Sequence, residues 1–159
     1  SVDTSRVVMD NDGWEHTCGD LLTIHDYSSS GESLRKHFAS VDSVLALAPS
    51  GRSVFADGYH YLGQPILVTE FGGVKYVPAS DVAHSWGYCE ANSPEAYAKK
   101  VAELTRALLD SPLVQGYCYT QLTDVETEEN GLLTYDRGLK IPLETIRSIN
   151  ENRYIGTTL

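Results

Sequence analysis

Pro65-Ile-Leu-Val-Thr-Glu70-Phe-Gly-Gly73 is the stretch that decides the fold, because a short apolar run delivers one carboxylate to a pair of glycines. Ile66, Leu67 and Val68 are bulky and favour strands, which predicts a strand buried on both faces. Glu70 lies where this strand should end, and the glycines allow the backbone to turn beside it. In parallel α/β architectures the carboxyl ends of the strands carry the chemistry. Glu70 is therefore a candidate catalytic residue, and a solvated carboxylate at a strand end is the alternative interpretation of this segment.

Length and composition predict one soluble, acidic domain. The chain has 159 residues, 42% of them hydrophobic, and a formal net charge of −10. This charge argues against nucleic acid or an anionic membrane as a partner, and no apolar run approaches membrane-spanning length. Cys18, Cys89 and Cys118 are too few and too far apart for a disulfide framework. We therefore expect a reducing, cytoplasmic location.

Strand and helix patterns alternate along the chain. The predicted strands are Arg6–Met9, Leu21–Ile24, Ile66–Thr69 and Leu113–Thr120. Apolar residues at helical spacing predict three helices, spanning about 34–48, beginning at Ser93-Pro94, and beginning at Pro142.

This alternation predicts an α/β fold that is half of a TIM (β/α)₈ barrel, with parallel strands and covering helices. A complete barrel needs roughly 250 residues, so residues 1–159 are expected to form a single partial domain. The chain also begins with Ser1 and not Met, which suggests a piece of a longer protein.

Each predicted strand is followed by polar and aromatic residues. The four groups are Asn11–His16, His25–Tyr27, Glu70 and Thr120–Glu126. If the strands are parallel, all four groups meet at one rim, and carboxylates with aromatic rings around one cavity suit a carbohydrate.

Structural roles remain open for several of these residues. Trp14 could pack in the core or a loop, His25 could be a hydrogen-bonded structural histidine, and Tyr27 could be buried with its hydroxyl satisfied. Asp124 and Glu126 open a charge-rich segment and are expected to be a solvated or capping face. Histidine and cysteine spacings do not fit a zinc site, so no metal is expected. No phosphate-binding glycine loop follows a strand, which disfavours a flavodoxin-like nucleotide binder.

Six segments, in this order, resemble the C-terminal half of the catalytic barrel of glycoside hydrolase family 2, which includes β-galactosidases and β-glucuronidases. These segments are Asp10–His16, Leu22–Tyr27, Gly63–Gly73, Ser85–Tyr88, Gly116–Glu126 and Asn130–Arg137. The match covers about Arg6 to Asn150, and the order and spacing together make it specific.

The resemblance implies that the four predicted strands are the fifth to eighth of a barrel. It implies that Glu70 is the catalytic nucleophile and that Tyr27 hydrogen-bonds it. The sugar site would include His25, Asp12, Trp14 and Trp86. Gln121, or its neighbour Thr120, stands near the place where many related enzymes have a tryptophan on the last strand, so this chain departs from the family pattern there. No cofactor is implied.

The second carboxyl group of the family, the acid/base, follows an asparagine at the end of the fourth barrel strand. The only Asn-Glu pair here is Asn150-Glu151, in the predicted closing helix. We therefore expect the chain alone to be inactive or nearly so on ordinary glycosides. Its expected partners are a carbohydrate substrate and either the missing N-terminal half of the barrel, with any β-sandwich domains, or a second copy. The alternative function is a non-catalytic half-barrel module for sugar binding or subunit assembly.

Overall fold

The computed structural model describes residues 5–77 and 85–156, and its centre is a sheet of three parallel strands. Strand β1 (Leu22–Asp26) and strand β5 (Val114–Thr120) flank the central strand β2 (Ile66–Gly72). In β2 the side chains of Ile66, Val68 and Phe71 are buried, whereas Leu67 is only partly buried. The prediction of a strand buried on both faces therefore holds only in part. The parallel α/β architecture predicted from the sequence is confirmed for this sheet.

Four α-helices, a short 3₁₀ helix (Pro49–Gly51) and a second, two-stranded parallel sheet complete the described fold. The helices are α1 (Gly31–His37), α2 (Val41–Leu45), α3 (Pro94–Leu109) and α4 (Leu143–Asn150), and the short strands are β3 (Val74–Lys75) and β4 (Cys89–Glu90). Within residues 5–77 and 85–156, no helix combines the length and the apolar character needed to cross a bilayer.

Helix α3 begins where the sequence predicts. Ser93 is the N-cap, its side chain accepts a hydrogen bond from the backbone N–H of Ala96, and Pro94 takes the first helical position. Tyr97 and Leu104 are completely buried on the face of α3 that packs in the core. Local capping and an apolar stripe therefore suffice to define this element.

The Arg6–Met9 segment is not a strand, so the described sheet has three strands and not four. Val7 is 65% exposed, and Val8 is tied to the next loop through the backbone and the carboxylate of Asp20. Strand-favouring residues form a strand only where a neighbouring strand can pair with them. Val8 instead bonds Asp20, which lies in the bend before β1 and not in a strand.

The predicted helix over 34–48 is two helices. Helix α1 ends at His37, and Ser40, with extended backbone angles, caps α2 by accepting from the N–H of Ser43. The break turns the chain so that Val44 is fully buried while Leu45 is only partly buried. A serine cap inside an apolar periodicity thus restarts the helix in a new direction.

Asp124 also differs from expectation, because it is buried and not solvated. Its carboxylate Oδ1 accepts from Lys140 Nζ at 2.7 Å and from the backbone N–H of Gly131 at 2.8 Å. Glu126, in contrast, is exposed as predicted. The charge-rich segment is therefore anchored by one internal ion pair.

Candidate active site

Glu70 lies near the carboxyl end of β2, directly beside β1. In the β1–β2 ladder His25 is the partner of Glu70, after an irregularity between Ile24 and His25. One carboxylate oxygen of Glu70, Oε2, accepts a hydrogen bond of 2.6 Å from the hydroxyl of Tyr27. The same oxygen lies 3.2 Å from Nδ1 of His25. Glu70, Tyr27 and His25 thus lie together at the carboxyl ends of two neighbouring strands. The register of β1 and β2 places them in contact.

The hydroxyl of Tyr27 is a permanent donor in this arrangement. Burial raises its pKa, and the hydrogen bond to the Glu70 carboxylate raises the pKa further. Tyr27 therefore stays protonated at any physiological pH. A neutral hydroxyl that donates to an ionised carboxylate gives a short, charge-assisted hydrogen bond.

His25 lies between two carboxylates. Its Nε2 atom is 3.3 Å from Oδ2 of Asp12, close enough for electrostatic attraction but without hydrogen-bond geometry among the described residues. The loop of Asp12 can come this close to the His25 ring because its next residue is Gly13. The φ of Gly13 is +91°, and a Cβ there would lie only 2.6 Å from Cγ of His25. His25 is consequently held from one side by the loop and from the other by Glu70.

Asp12 is ionised at neutral pH. Burial acts to raise its pKa, but hydrogen bonds from Thr69 and Thr23 and the nearby His25 outweigh burial and leave the pKa below its ordinary value. The Thr69 hydroxyl donates to Oδ1 of Asp12 at 2.6 Å. An aspartate in this state can accept hydrogen bonds from sugar hydroxyls, but it is a poor source of protons.

A cavity of about 620 Å³ opens in front of this cluster. Its volume is in the range of small-molecule sites. Trp14 contributes an aromatic wall and meets the His25 ring edge-on, with ring centroids 5.1 Å apart. The other wall is formed by residues 46–50, which directly follow α2. The lining residues of the cavity are Trp14, His25, Asp26, Tyr27, His37, Ala46, Leu47, Ala48, Pro49, Ser50, Glu70 and Tyr88.

Three predicted site residues, Asp12, Trp86 and Gln121, lie outside the lining of this cavity, and Asp12 is next to the lining residue His25. Trp86 is 44% exposed and meets the edge of the Tyr88 ring at a centroid distance of 5.6 Å. Gln121 donates through Nε2 to the side chain of the buried Asn130 at 3.0 Å. Trp86 is therefore next to the cavity, whereas the Gln121 amide is engaged in a contact within the fold.

The cavity also contains residues that the strand-end argument did not single out. His37, from the end of α1, lies 2.6 Å through Nδ1 from Oδ2 of the buried Asp26. Tyr88 stacks on Tyr27. Both residues reach the site through packing between segments that are distant in sequence. Tyr88 belongs to the segment Ser85–Tyr88 of the family resemblance, whereas no sequence pattern indicated His37.

The loop that carries Asp12 and Trp14 is held by Asp10 and His16. His16 is almost fully buried, with Nδ1 2.9 Å from Asp10 Oδ1 and Nε2 2.7 Å from the carbonyl of Thr23 in β1. The other oxygen of Asp10 accepts from the backbone and hydroxyl of Thr17. This network fixes the loop to the strand that carries His25.

Asp10→Asn should destabilise the protein at neutral pH. The expected loss is limited to about 1–2 kcal/mol, because solvent in contact with Asp10 screens its charge. Burial acts to raise the pKa of Asp10, but hydrogen bonds from His16, Thr17 and Asn11 outweigh it and hold the pKa far below its ordinary value. A depressed folded-state pKa stabilises the protein above the unfolded pKa of about 4 and loses this effect as pH falls below it. Urea unfolding should therefore show a difference between the variant and wild type that is constant at pH 5–7 and shrinks below pH ~4.

The exposed Asp57 provides the control for this measurement. Asp57→Asn should leave the free energy of unfolding within about 0.5 kcal/mol of wild type. An Asp10→Asn deficit that stays unchanged down to pH ~3 would show that the Asp10 charge does not stabilise the loop.

No group of three or more His, Cys, Asp or Glu side chains suited to a metal ion lies among residues 5–77 and 85–156.

Comparison with solved structures identifies similar folds at low sequence identity. A GH2 β-galacturonidase from Eisenbergiella tayi, bound to glycerol, matches 84% of this chain with a TM-score of 0.56 and 15% identity. An exo-β-agarase matches 85% with a TM-score of 0.55 and 13% identity. A β-glucuronidase from Ruminococcus gnavus matches 86% with a TM-score of 0.51 and 16% identity.

The chain spans 24%, 16% and 23% of the lengths of these three structures, respectively. No family model and no curated protein matches the sequence. The fold resemblance to family 2 glycoside hydrolases is thus shown by structure, and it covers most of this chain but only about a quarter of those enzymes.

Proposed function

We propose that this chain supplies the nucleophile to the active site of a retaining β-glycosidase related to glycoside hydrolase family 2. The observation that carries the proposal is the Glu70 carboxylate, held by Tyr27 and His25 at the edge of a cavity large enough for a sugar. The fold neighbours include a β-galacturonidase and a β-glucuronidase, which supports a glycosidase relation.

In this proposal the chain is the C-terminal half of a TIM barrel. Strands β1, β2 and β5 correspond to the sixth, seventh and eighth barrel strands, and Glu70 and Tyr27 occupy the carboxyl-end rim where such barrels place their active sites. The parallel order of the three strands and the helices that cover them support this assignment.

The proposed reaction is a double displacement. Tyr27 and His25 both contact Oε2 of Glu70, which leaves Oε1 to attack the anomeric carbon. A bond forms between Oε1 and the anomeric carbon while the bond to the leaving oxygen breaks, and water later hydrolyses the glycosyl ester. Trp14 and Trp86 would contact the apolar face of the sugar, and Asp12 and His25 would bind its hydroxyl groups.

The acid that protonates the leaving oxygen would come from outside the described residues. Retaining glycosidases place it about 5–5.5 Å from the nucleophile, and Asp12, the carboxylate next to His25, has the wrong protonation state for this task. General acid catalysis contributes about 10²–10⁴-fold. We therefore expect the chain alone to hydrolyse ordinary glycosides very slowly.

The complementary half of the barrel, or a second copy of the chain, is the proposed protein partner. Within the described residues β1 and β5 each pair with only one strand, so both have an unpaired outer edge. Such edges favour association with another chain. A half-barrel that binds sugar or assembles without catalysing a reaction is the alternative function.

The test uses sugars that need no acid catalyst. The 159-residue chain is incubated with 2,4-dinitrophenyl 2-deoxy-2-fluoro glycosides of gluco, galacto, manno and uronic configuration, and the adduct is mapped by mass spectrometry. A covalent glycosyl group on Glu70 with at least one reagent is the expected result. Absence of any adduct, combined with a stable dimer and sugar binding in solution, would favour the non-catalytic alternative.

A further inference from the structure

Tyr88 is placed against the site by a strand pairing that begins where β2 ends. The backbone N–H of Tyr88 donates to the carbonyl of Gly73 at 2.9 Å, and the next residue, Cys89, pairs with Val74 in the two-stranded sheet. Gly73 is itself bound through its N–H to the carbonyl of Thr120 at 2.9 Å. Tyr88 is therefore fixed to the same backbone turn that follows Glu70.

The ring of Tyr88 lies flat on the ring of Tyr27. Their centroids are 3.6 Å apart and the planes differ by 12°, which is a parallel stack. A side chain at Gly73 would overlap the Tyr88 ring and approach Tyr27 Cδ1 to 3.2 Å, and Gly73 has a φ of +61°. Glycine at this position therefore permits the close approach of both rings to the turn.

We propose that Tyr88 is a positioning residue, whose ring fixes the ring of Tyr27 so that the Tyr27 hydroxyl stays bonded to Glu70. A tyrosine side chain has two rotatable torsions, and its hydroxyl swings with the ring. Stacking on a ring that is itself held by a backbone hydrogen bond restricts that swing. The consequence for reactivity rests on the proposed function, whereas the positional role does not.

The proposed role requires the ring of Tyr88 and not its hydroxyl. Burial raises the pKa of Tyr88, and the nearby Glu128 and Glu70 carboxylates raise it further, while a side-chain interaction with Tyr27 acts in the opposite direction. The net effect is a raised pKa, so the phenol stays neutral and adds no charge to the site. Tyr88 is 45% exposed, which makes replacement of its side chain compatible with folding. A phenylalanine should therefore substitute fully, and a residue without a ring should not.

The positional role is tested by the hydroxyl proton of Tyr27 in NMR spectra recorded near 5 °C. The signal is identified by its loss in Y27F. In Y88F the exchange rate of this proton with water should equal that of wild type, and in Y88L and Y88Q it should rise about tenfold or more, since a tenfold change follows from a modest loss of ordering energy. Two ring-free variants are used so that a folding defect in one leaves the other informative. Tyr59→Leu, which removes an equally exposed ring from another loop, should leave the signal unchanged.

The functional consequence is tested by the rate of covalent labelling with the activated fluoro-sugar. In Y88L and Y88Q the rate constant at saturating reagent should fall about tenfold while the concentration for half-maximal rate changes less than about threefold. Y88F should restore the wild-type rate, and thermal melting checks that all variants are folded.

An unchanged Tyr27 hydroxyl signal in both ring-free variants would overturn the positional role, as would its loss in Y88F. If the wild-type chain is not labelled by any sugar, the proposed glycosidase function fails while the NMR result still decides the role of Tyr88.

Discussion

Glu70→Gln should abolish covalent labelling by activated fluoro-sugars, with a loss of ~1,000-fold or more in rate, equivalent to about 4 kcal/mol of barrier. An amide oxygen is a far weaker nucleophile than a carboxylate, so the glycosyl bond does not form. The substitution keeps the shape of the side chain, and the amide oxygen still accepts the hydrogen bond that the Tyr27 hydroxyl gives to Oε2. The loss should therefore reflect chemistry and not folding. Intact-protein mass spectrometry over time measures it directly.

Glu90→Gln is the matched control, because Glu90, on β4, is a carboxylate in an ion pair with Lys75 of the paired strand β3. It should be labelled at the wild-type rate. Labelling that persists in the Glu70 variant, with the adduct mapped to Asp26 in the cavity or to Asp12 beside it, would assign the nucleophile to that carboxylate.

The parts of the fold that the sequence predicts are those with strong local signals. The Ser93-Pro94 start defines α3, and the apolar run after Pro65 defines β2. Where local preference competes with long-range structure, prediction fails. Arg6–Met9 favours a strand but does not form one, and Val8 is hydrogen-bonded to Asp20 in the loop before β1. The run after Leu34 is apolar at helical spacing but contains Ser40, which caps a second helix.

The residues of the candidate site also fall into two groups, those that the sequence predicts and those that it does not. Glu70, His25 and Tyr27 follow from the rule that parallel strands gather their carboxyl ends at one rim, and the register of β1 and β2 places them in contact. His37 and Tyr88 approach the site because α1 and the β3–β4 pair return the chain to it. Their positions depend on packing between segments that are distant in sequence, and a single sequence gives no measure of that packing.

The buried Asp124–Lys140 pair is a further contact of this kind. Lys140 Nζ is 2.7 Å from Asp124 Oδ1 and 3.0 Å from the carbonyl of Glu129, with both side chains almost without solvent contact. Burial lowers the pKa of Lys140, and the hydrogen bond with Asp124 opposes this effect. The short contact between the two side chains ties the segment after β5 to the residues just before α4.

Lys140→Ala should destabilise the protein by about 3–5 kcal/mol, since it leaves the Asp124 carboxylate buried and unpaired. Lys36→Ala, which breaks the exposed i,i+4 pair with Glu32, should cost at most about 0.5 kcal/mol. A double variant, Lys140→Met with Asp124→Asn, should recover much of the loss, because a neutral amide still accepts the N–H of Gly131 and no charge is buried. Urea unfolding of the four proteins gives the free energies. Equal losses of stability in Lys140→Ala and Lys36→Ala would mean that burial of the Asp124–Lys140 pair contributes nothing. If the double variant does not recover stability, the stabilisation comes from the contacts of Lys140 with Glu129 and Tyr97 and not from charge compensation.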